Sequence, residues 1–62
     1  MPLVKIEMWE GRDEAKREEL IRNVSRTVVD TLKCPVEMVW VIIDEVPKSN
    51  WGMAGVPATK IR

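Results

Sequence analysis

The sequence contains no histidine, no tyrosine and no phenylalanine, and Cys34 is its single cysteine among 62 residues. Without histidine, a Ser/His or Cys/His nucleophilic pair is excluded, because the nucleophile would lack its base. One cysteine cannot form an internal disulfide, and without histidine it cannot complete a zinc site. We therefore expect neither a metal nor a cofactor, and we interpret Cys34 as a small packing residue.

Charge and hydropathy exclude two further classes of partner. Ten basic and ten acidic side chains cancel, and no basic run suggests a nucleic-acid footprint. No stretch approaches the roughly 20 apolar residues of a membrane helix, and the N-terminus lacks the basic and apolar regions of a signal peptide. We expect a soluble cytoplasmic protein with no nucleic-acid partner and no membrane partner.

The chain is short and yet rich in apolar residues. Hydrophobic residues make up 45% of it, including three tryptophans and four methionines. A chain of this length buries too small a fraction of its surface to be comfortably stable alone, and neither a disulfide nor a metal supplements its core. We predict one domain over residues 1–62 that associates into a homo-oligomer.

A strand is predicted from Leu3 to Trp9, because apolar and charged residues alternate there with a period of two. On that alternation Pro2 points to the same side as Val4, so its nitrogen faces inward. The Glu10-Gly11-Arg12 segment interrupts the pattern as a turn and places Arg12 near the far end of the strand.

A helix is predicted to begin after an N-cap at Asp13 and to end near Lys33, because Pro35 prevents its continuation. Its apolar stripe recurs every four residues, at Leu20, Val24, Val28 and Leu32. Asp13 with Arg17 and Glu18 with Arg22 have the spacing of ion pairs along the helix.

The segment from Met38 to Val46 is the most apolar part of the chain and predicts a second strand, buried on much of both faces. Strand, helix and strand make a βαβ unit with parallel strands, so the fold class is α/β (α+β). A turn follows at residues 47–50. Residues 51–57 contain two glycines and a proline, so we expect an irregular or hairpin arm that packs on a neighbouring subunit.

Pro2 is the candidate catalytic residue at the start of this chain. Initiator methionine is usually trimmed when a small residue such as proline follows it, and Pro2 would then offer a free secondary amine. Every other proline nitrogen is an amide without basicity, so only this one could act as a catalytic base. The alternative is that Met-Pro is simply a common way for a chain to begin.

The order of these segments resembles the 4-oxalocrotonate tautomerases, small proteins that use an N-terminal proline as base. The resemblance covers nearly the whole chain and is carried by Pro2, the Glu10-Gly11-Arg12 turn, the helix segment 18–25, the strand segment 41–45 and the run 51–55. It implies that two βαβ subunits join their strands into a four-stranded sheet, and that three such dimers form a homohexamer. It also implies a small-molecule substrate and a role in aromatic hydrocarbon catabolism.

The resemblance assigns three site residues directly. Pro2 matches the catalytic base, and Arg12 matches the arginine that binds a substrate carboxylate and draws electron density toward it. Trp51 matches an aromatic position, usually phenylalanine, whose apolar bulk keeps the proline amine neutral. The physical chemistry agrees, because burial disfavours an ammonium and arginine offers a carboxylate a planar fork.

Trp40 departs from the pattern of the family. The best-studied members carry a second arginine at this position, which polarises the 2-oxo group of the substrate. An indole donates one N–H and has no charge, so Trp40 could hydrogen-bond a carbonyl but would stabilise an enolate less. Alternatively Trp40 only packs, and the site accepts a more apolar unsaturated acid or ketone.

Three functions remain open on these residues. The first is an isomerase that moves a proton between carbons of an enol or unsaturated keto acid, with Pro2 as general base. The second keeps Pro2 protonated as an acid that adds water to an activated alkene, as a hydratase or dehalogenase does. The third is an oligomeric scaffold without catalysis. Arg12 and Pro2 favour catalysis, and the missing second arginine favours the scaffold.

Overall fold

Two parallel strands joined by one long helix form the body of the chain in a computed structural model, which describes residues 1–61. The strand β1 is Leu3–Trp9, the helix α1 is Glu14–Leu32 and the strand β2 is Trp40–Val46. The two strands pair along their whole length, from Leu3 opposite Trp40 to Trp9 opposite Val46. The predicted βαβ unit is confirmed.

The strand β2 begins at Trp40, two residues later than predicted. Pro35 starts a single 3₁₀ turn, in which the N–H of Met38 donates to the carbonyl of Pro35 at 3.0 Å. The next donor, the N–H of Val39, is also used inside this turn. Because these groups bond locally, Met38 and Val39 cannot join the ladder with β1.

The helix α1 has a defined cap at each end. At its start, Asp13 is extended and its carboxylate accepts a hydrogen bond from the N–H of Lys16 at 2.9 Å. At its end, Lys33 adopts a left-handed conformation with φ of 56°, and its N–H donates to the carbonyl of Val29 at 2.8 Å. Both predicted boundaries are confirmed, and Pro35 follows where the helix has already ended.

The helix covers one face of the two-stranded sheet. The half-buried side chains of both strands alternate with exposed ones, and the half-buried set forms the face toward α1. The opposite face carries Leu3, Trp40 and Ile42, which are 57%, 55% and 45% exposed. The prediction that β2 is buried on both faces is therefore wrong for the single chain, because one helix can cover only one face.

The C-terminal arm folds into a hairpin, which is one of the two forms predicted for it, the other being an irregular segment. The strand β3 is Gly52–Met53, and it pairs antiparallel with β4, Val56–Pro57. The two residues between them, Ala54 and Gly55, both have positive φ, at 53° and 81°, as a tight two-residue hairpin turn requires. Ala58 then closes the arm against its own chain, with its N–H donating to the carbonyl of Trp51 at 2.7 Å.

The overall shape is thin and extended. The chain measures 42 × 24 × 13 Å and its radius of gyration is 14.5 Å, whereas a compact domain of this length would have about 11 Å. Among residues 1–61, Ala58 is the only fully buried hydrophobic residue. No helix in the described part of the chain is long and apolar enough to cross a membrane.

We expect sedimentation at micromolar concentration to show an oligomer, because the uncovered sheet face and the thin core leave a single copy poorly stabilised. Its thermal midpoint should rise with protein concentration, as it does when assembly and folding are linked. A folded monomer with a concentration-independent midpoint would contradict this expectation.

Candidate active site

The four predicted site residues fall into two pairs at opposite ends of the sheet. Pro2 precedes β1 and its carbonyl accepts a hydrogen bond from the N–H of Trp40 at 3.0 Å. Arg12 follows β1, and it lines a cavity together with Trp51. A strand of seven residues spans roughly 23 Å at about 3.3 Å per residue. One chain therefore cannot bring the nitrogen of Pro2 and the guanidinium of Arg12 to the same small substrate.

At the first end, Pro2 and Trp40 are neighbours in the sheet but belong to different faces. Trp40 is paired with Leu3 and shares its exposed face, whereas Pro2 continues the half-buried alternation of Val4. In the 62-residue chain the nitrogen of Pro2 forms an amide with Met1. It becomes a basic amine only when Met1 is removed.

At the second end, Arg12 borders an open cavity of about 280 Å³. The lining residues are Glu7, Met8, Trp9, Arg12 and Trp51. The turn that delivers Arg12 depends on Gly11, whose φ of 123° is rarely adopted by residues with a Cβ. A hydrogen bond of 3.1 Å from the N–H of Glu10 to the carbonyl of Val46 ties the start of this turn to β2.

The guanidinium of Arg12 has no carboxylate partner within the described residues. Each ion pair found there involves another cation, namely Lys16, Arg17 or Arg22. The Arg12 side chain is exposed at the mouth of the cavity. It is therefore available to bind the carboxylate of a small molecule in a bidentate way, while Trp51 provides an apolar wall beside it.

Trp9 is a site residue that the sequence did not single out. Its ring meets that of Trp51 edge to face, with the centroids 6.1 Å apart and the planes at 82°. The ammonium of Lys48 lies 4.9 Å from the centroid of the Trp9 ring. An edge-to-face pair contributes about 0.5 to 1.5 kcal/mol beyond the area it buries. Trp9 thus holds Trp51 in place and extends the apolar wall.

A weak signal for Trp9 was present in the sequence. The alternation of β1 breaks at its last two residues, because Met8 and Trp9 are both apolar and both half-buried. A tryptophan just before a turn suggests a contact with another loop, but the sequence does not say with which one. The indole nitrogen of Trp9 is buried and has no hydrogen-bond partner.

The described residues offer no metal site. Between residues 1 and 61 no three side chains of histidine, cysteine, aspartate or glutamate lie close enough together to hold a metal ion. The Arg12 cavity offers a cation beside aromatic walls. At the other end, removal of Met1 would release the amine of Pro2.

A family model described as "Tautomerase enzyme" matches residues 2–61. The chain belongs to the tautomerase family. The resemblance found in the sequence is confirmed, and with it the isomerase activity that gives this family its name. The roles of Pro2, Arg12, Trp40 and Trp51 remain predictions.

This tautomerase is similar to relatives along its whole length. A 2-hydroxymuconate tautomerase from Pseudomonas putida is 46% identical over 61 residues, which are 98% of this chain and 97% of the relative. The structure of a 4-oxalocrotonate tautomerase isozyme from Methylibium petroleiphilum has a TM-score of 0.92 at 37% identity and 97% coverage of both chains. A heterohexamer 4-oxalocrotonate tautomerase from Chloroflexus aurantiacus J-10-fl has a TM-score of 0.93 at 34% identity, and 100% of both chains is covered.

Proposed function

We propose that this tautomerase moves a proton between carbons of an enol or unsaturated keto acid, with the amine of Pro2 as general base after Met1 is removed. The observation that carries the proposal is the unpaired guanidinium of Arg12 at a cavity walled by aromatic rings. A cation free of carboxylates beside apolar walls suits a substrate that has a carboxylate and an unsaturated body.

The amine of Pro2 and the guanidinium of Arg12 carry the proposed chemistry. From an unsaturated keto acid, the neutral amine of Pro2 takes a proton from the carbon next to the carbonyl, and from an enol it takes the proton of the hydroxyl. In both cases the freed electron pair enters the conjugated system, and the double bonds shift along the carbon chain. The ammonium then returns the proton to a carbon at the far end of the conjugated system, so the composition is unchanged. Arg12 binds the substrate carboxylate and favours the electron density that moves toward it.

The active site is composite, with Pro2 from one copy and Arg12 from another. Each subunit has its proline and its arginine at opposite ends of the same sheet. Two copies related by a two-fold axis, with their sheets joined edge to edge and antiparallel, bring the Pro2 end of one beside the Arg12 end of the other. Such a dimer has two equivalent sites. Trp51 of one copy then provides the apolar surroundings for Pro2 of the other, and such surroundings disfavour the charged ammonium.

The same arrangement supports assembly beyond a dimer. Joining two sheets leaves the face with Leu3, Trp40 and Ile42 uncovered, and burial of that face requires further copies. We propose a homohexamer made of three dimers, in keeping with the heterohexamer reported for the Chloroflexus relative. The cytoplasmic location and the role in aromatic hydrocarbon catabolism stay predictions from the sequence.

The substrate class depends on Trp40. The Pseudomonas relative is named for 2-hydroxymuconate, a diacid enol, but this chain has an indole where the best-studied members have an arginine. Of the two arginines found in the best-studied members, this chain keeps only the one at Arg12. We therefore favour an enol with one carboxylate and an apolar or aromatic body. The hydratase alternative uses the same residues with Pro2 protonated, and the scaffold alternative uses none of them.

The state of the N-terminus tests the base directly. We expect mass spectrometry of the native protein to show that Met1 is absent. We also expect kcat/KM on an enol such as phenylenolpyruvate to rise with pH through the pKa of the amine, because only the neutral amine accepts a proton. A rate that falls as the amine loses its proton would favour the hydratase type of chemistry. An active protein that retains Met1 would contradict the proposal.

The role of Trp40 is tested by Trp40→Arg, which should improve kcat/KM on 2-hydroxymuconate more than on phenylenolpyruvate. A well-placed donor to an oxyanion is worth about a hundred- to a thousandfold in rate, so we expect a grafted arginine to recover about tenfold. The matched control is Ile42→Arg, which adds the same charge two residues along the same exposed face and should not change the ratio. If Trp40→Arg only lowers the thermal midpoint, Trp40 is a packing residue.

A further inference from the structure

Arg17 connects three parts of the chain near the Arg12 cavity. Its Nη1 atom donates a hydrogen bond to the backbone carbonyl of Arg12 at 2.6 Å and lies 3.1 Å from Oε1 of Glu45. Arg17 belongs to the helix and Glu45 to β2, so one nitrogen joins the helix, the sheet and the turn that contains Arg12. The sequence predicted a different pair, Arg17 with Asp13. That prediction is wrong, because the carboxylate of Asp13 caps the helix instead.

This contact is more shielded than the other ion pairs of the described residues. The side chains of Arg17 and Glu45 are 32% and 26% exposed, whereas those of Arg22 and Glu18 are 56% and 75% exposed. An exposed pair on one helix contributes little to stability. A half-buried pair that joins two elements also fixes the position of the donor for its second partner, here the carbonyl of Arg12.

We propose that Arg17 is a positioning residue for Arg12. It does not contact the substrate. It holds the backbone of Arg12 against the sheet, so that the guanidinium is presented to the cavity in one orientation. The inference rests on the proposed function for the role of Arg12, but the contact itself does not depend on that role.

The turn needs such a tie because its own residues supply little. Gly11 has the freedom of a residue without a side chain, and the Arg12 side chain is exposed. The turn is attached to β2 at Glu10, and at its other end the carbonyl of Asp13 accepts from the N–H of Arg17 at 3.2 Å. Between Glu10 and Asp13, the backbone of Arg12 is held by the hydrogen bond from the Arg17 guanidinium. A hydrogen bond from a charged donor changes the equilibrium constant between the held and the free backbone by roughly a factor of ten or more.

The pairing also decides which cation is left for the substrate. Arg12, Lys16 and Arg17 border a second cavity of about 280 Å³ beside the first. Lys16 is paired with Glu19 at 3.2 Å and Arg17 with Glu45 at 3.1 Å. Because Glu45 balances the charge of Arg17 in a shielded position, a substrate carboxylate finds Arg12 as the unpaired guanidinium of this cavity.

The experiment compares two single variants of the full-length protein, Arg17→Met and Arg22→Met, each studied in its assembled form. Both changes remove an arginine from the same helix, but only the first removes the tie to Arg12. A small misplacement of a binding group can reduce rates by about a hundredfold, so we expect Arg17→Met to raise KM for phenylenolpyruvate about ten- to a hundredfold. We expect kcat to fall by a smaller factor than KM rises, because Pro2 still transfers the proton while Arg12 favours the charge shift less well. Arg22→Met should match the wild type.

Two further variants separate positioning from a merely structural role. Arg17→Lys keeps one charged donor nitrogen, and a single nitrogen makes both contacts of Arg17, so KM should return most of the way to the wild-type value. Loss of folded protein would instead lower kcat and leave KM unchanged. Glu45→Gln removes the charge that orients Arg17 and should raise KM by at least about threefold. If Arg17→Met does not assemble, Glu45→Gln decides, and an unchanged KM overturns the inference.

A second readout does not depend on catalysis. Hydrogen exchange of the backbone amides of Glu10 and Lys16, which donate to the carbonyl of Val46 and to the carboxylate of Asp13, should be about tenfold faster in Arg17→Met than in Arg22→Met, because the turn between them loses its tie. If the wild type turns over no enol acid and exchange still changes in this way, the positioning role stands and the proposed function falls. If the wild type is active and Arg17→Met resembles Arg22→Met in both KM and exchange, the positioning role is overturned.

Discussion

One helix cannot cover both faces of a two-stranded sheet, and the rest of this molecule depends on that constraint. The helix leaves the inner sides of β1 and β2 half-buried, while Leu3, Trp40 and Ile42 remain exposed on the outer side. The chain is consequently too thin to hold a core of its own, and its radius of gyration exceeds that of a compact domain of its length. Further copies would supply the missing layer, so the stability of the fold and the completion of the active site are expected to arise together.

The length of β1 imposes the same dependence on the chemistry. A straight seven-residue strand separates the Pro2 end from the Arg12 end, and no local rearrangement of turns can close that distance. The proposed base at one end and the proposed carboxylate-binding group at the other would act on one substrate only where an antiparallel copy brings opposite ends together. Trp51 lies beside Arg12 of its own chain, at the end of the sheet far from Pro2.

Patterns that act over a few residues predicted most of the fold. The alternation of β1, the cap at Asp13 and the hairpin of the arm are all local, and each is confirmed. The predicted start of β2 was two residues too early. The 3₁₀ turn after Pro35 uses the N–H donors of Met38 and Val39, which the strand would have needed for pairing with β1. Contacts between distant residues were not predictable, because no spacing rule connects Trp9 with Trp51, or Arg17 with Glu45. Both contacts support the predicted site residues, so the sequence pointed to Arg12 and Trp51 but not to the residues that hold them.

The central claim is that each active site takes its base from one copy and its carboxylate-binding arginine from another. It is tested most directly by mixing two inactive variants, Pro2→Leu and Arg12→Ala, after dissociating them and letting them reassemble together. In a random mixture about a quarter of the sites combine an intact Pro2 with an intact Arg12, so the account predicts recovery of about that share of the wild-type kcat. If the mixture is no more active than the two variants assayed separately, each site is built within one chain and the account is wrong.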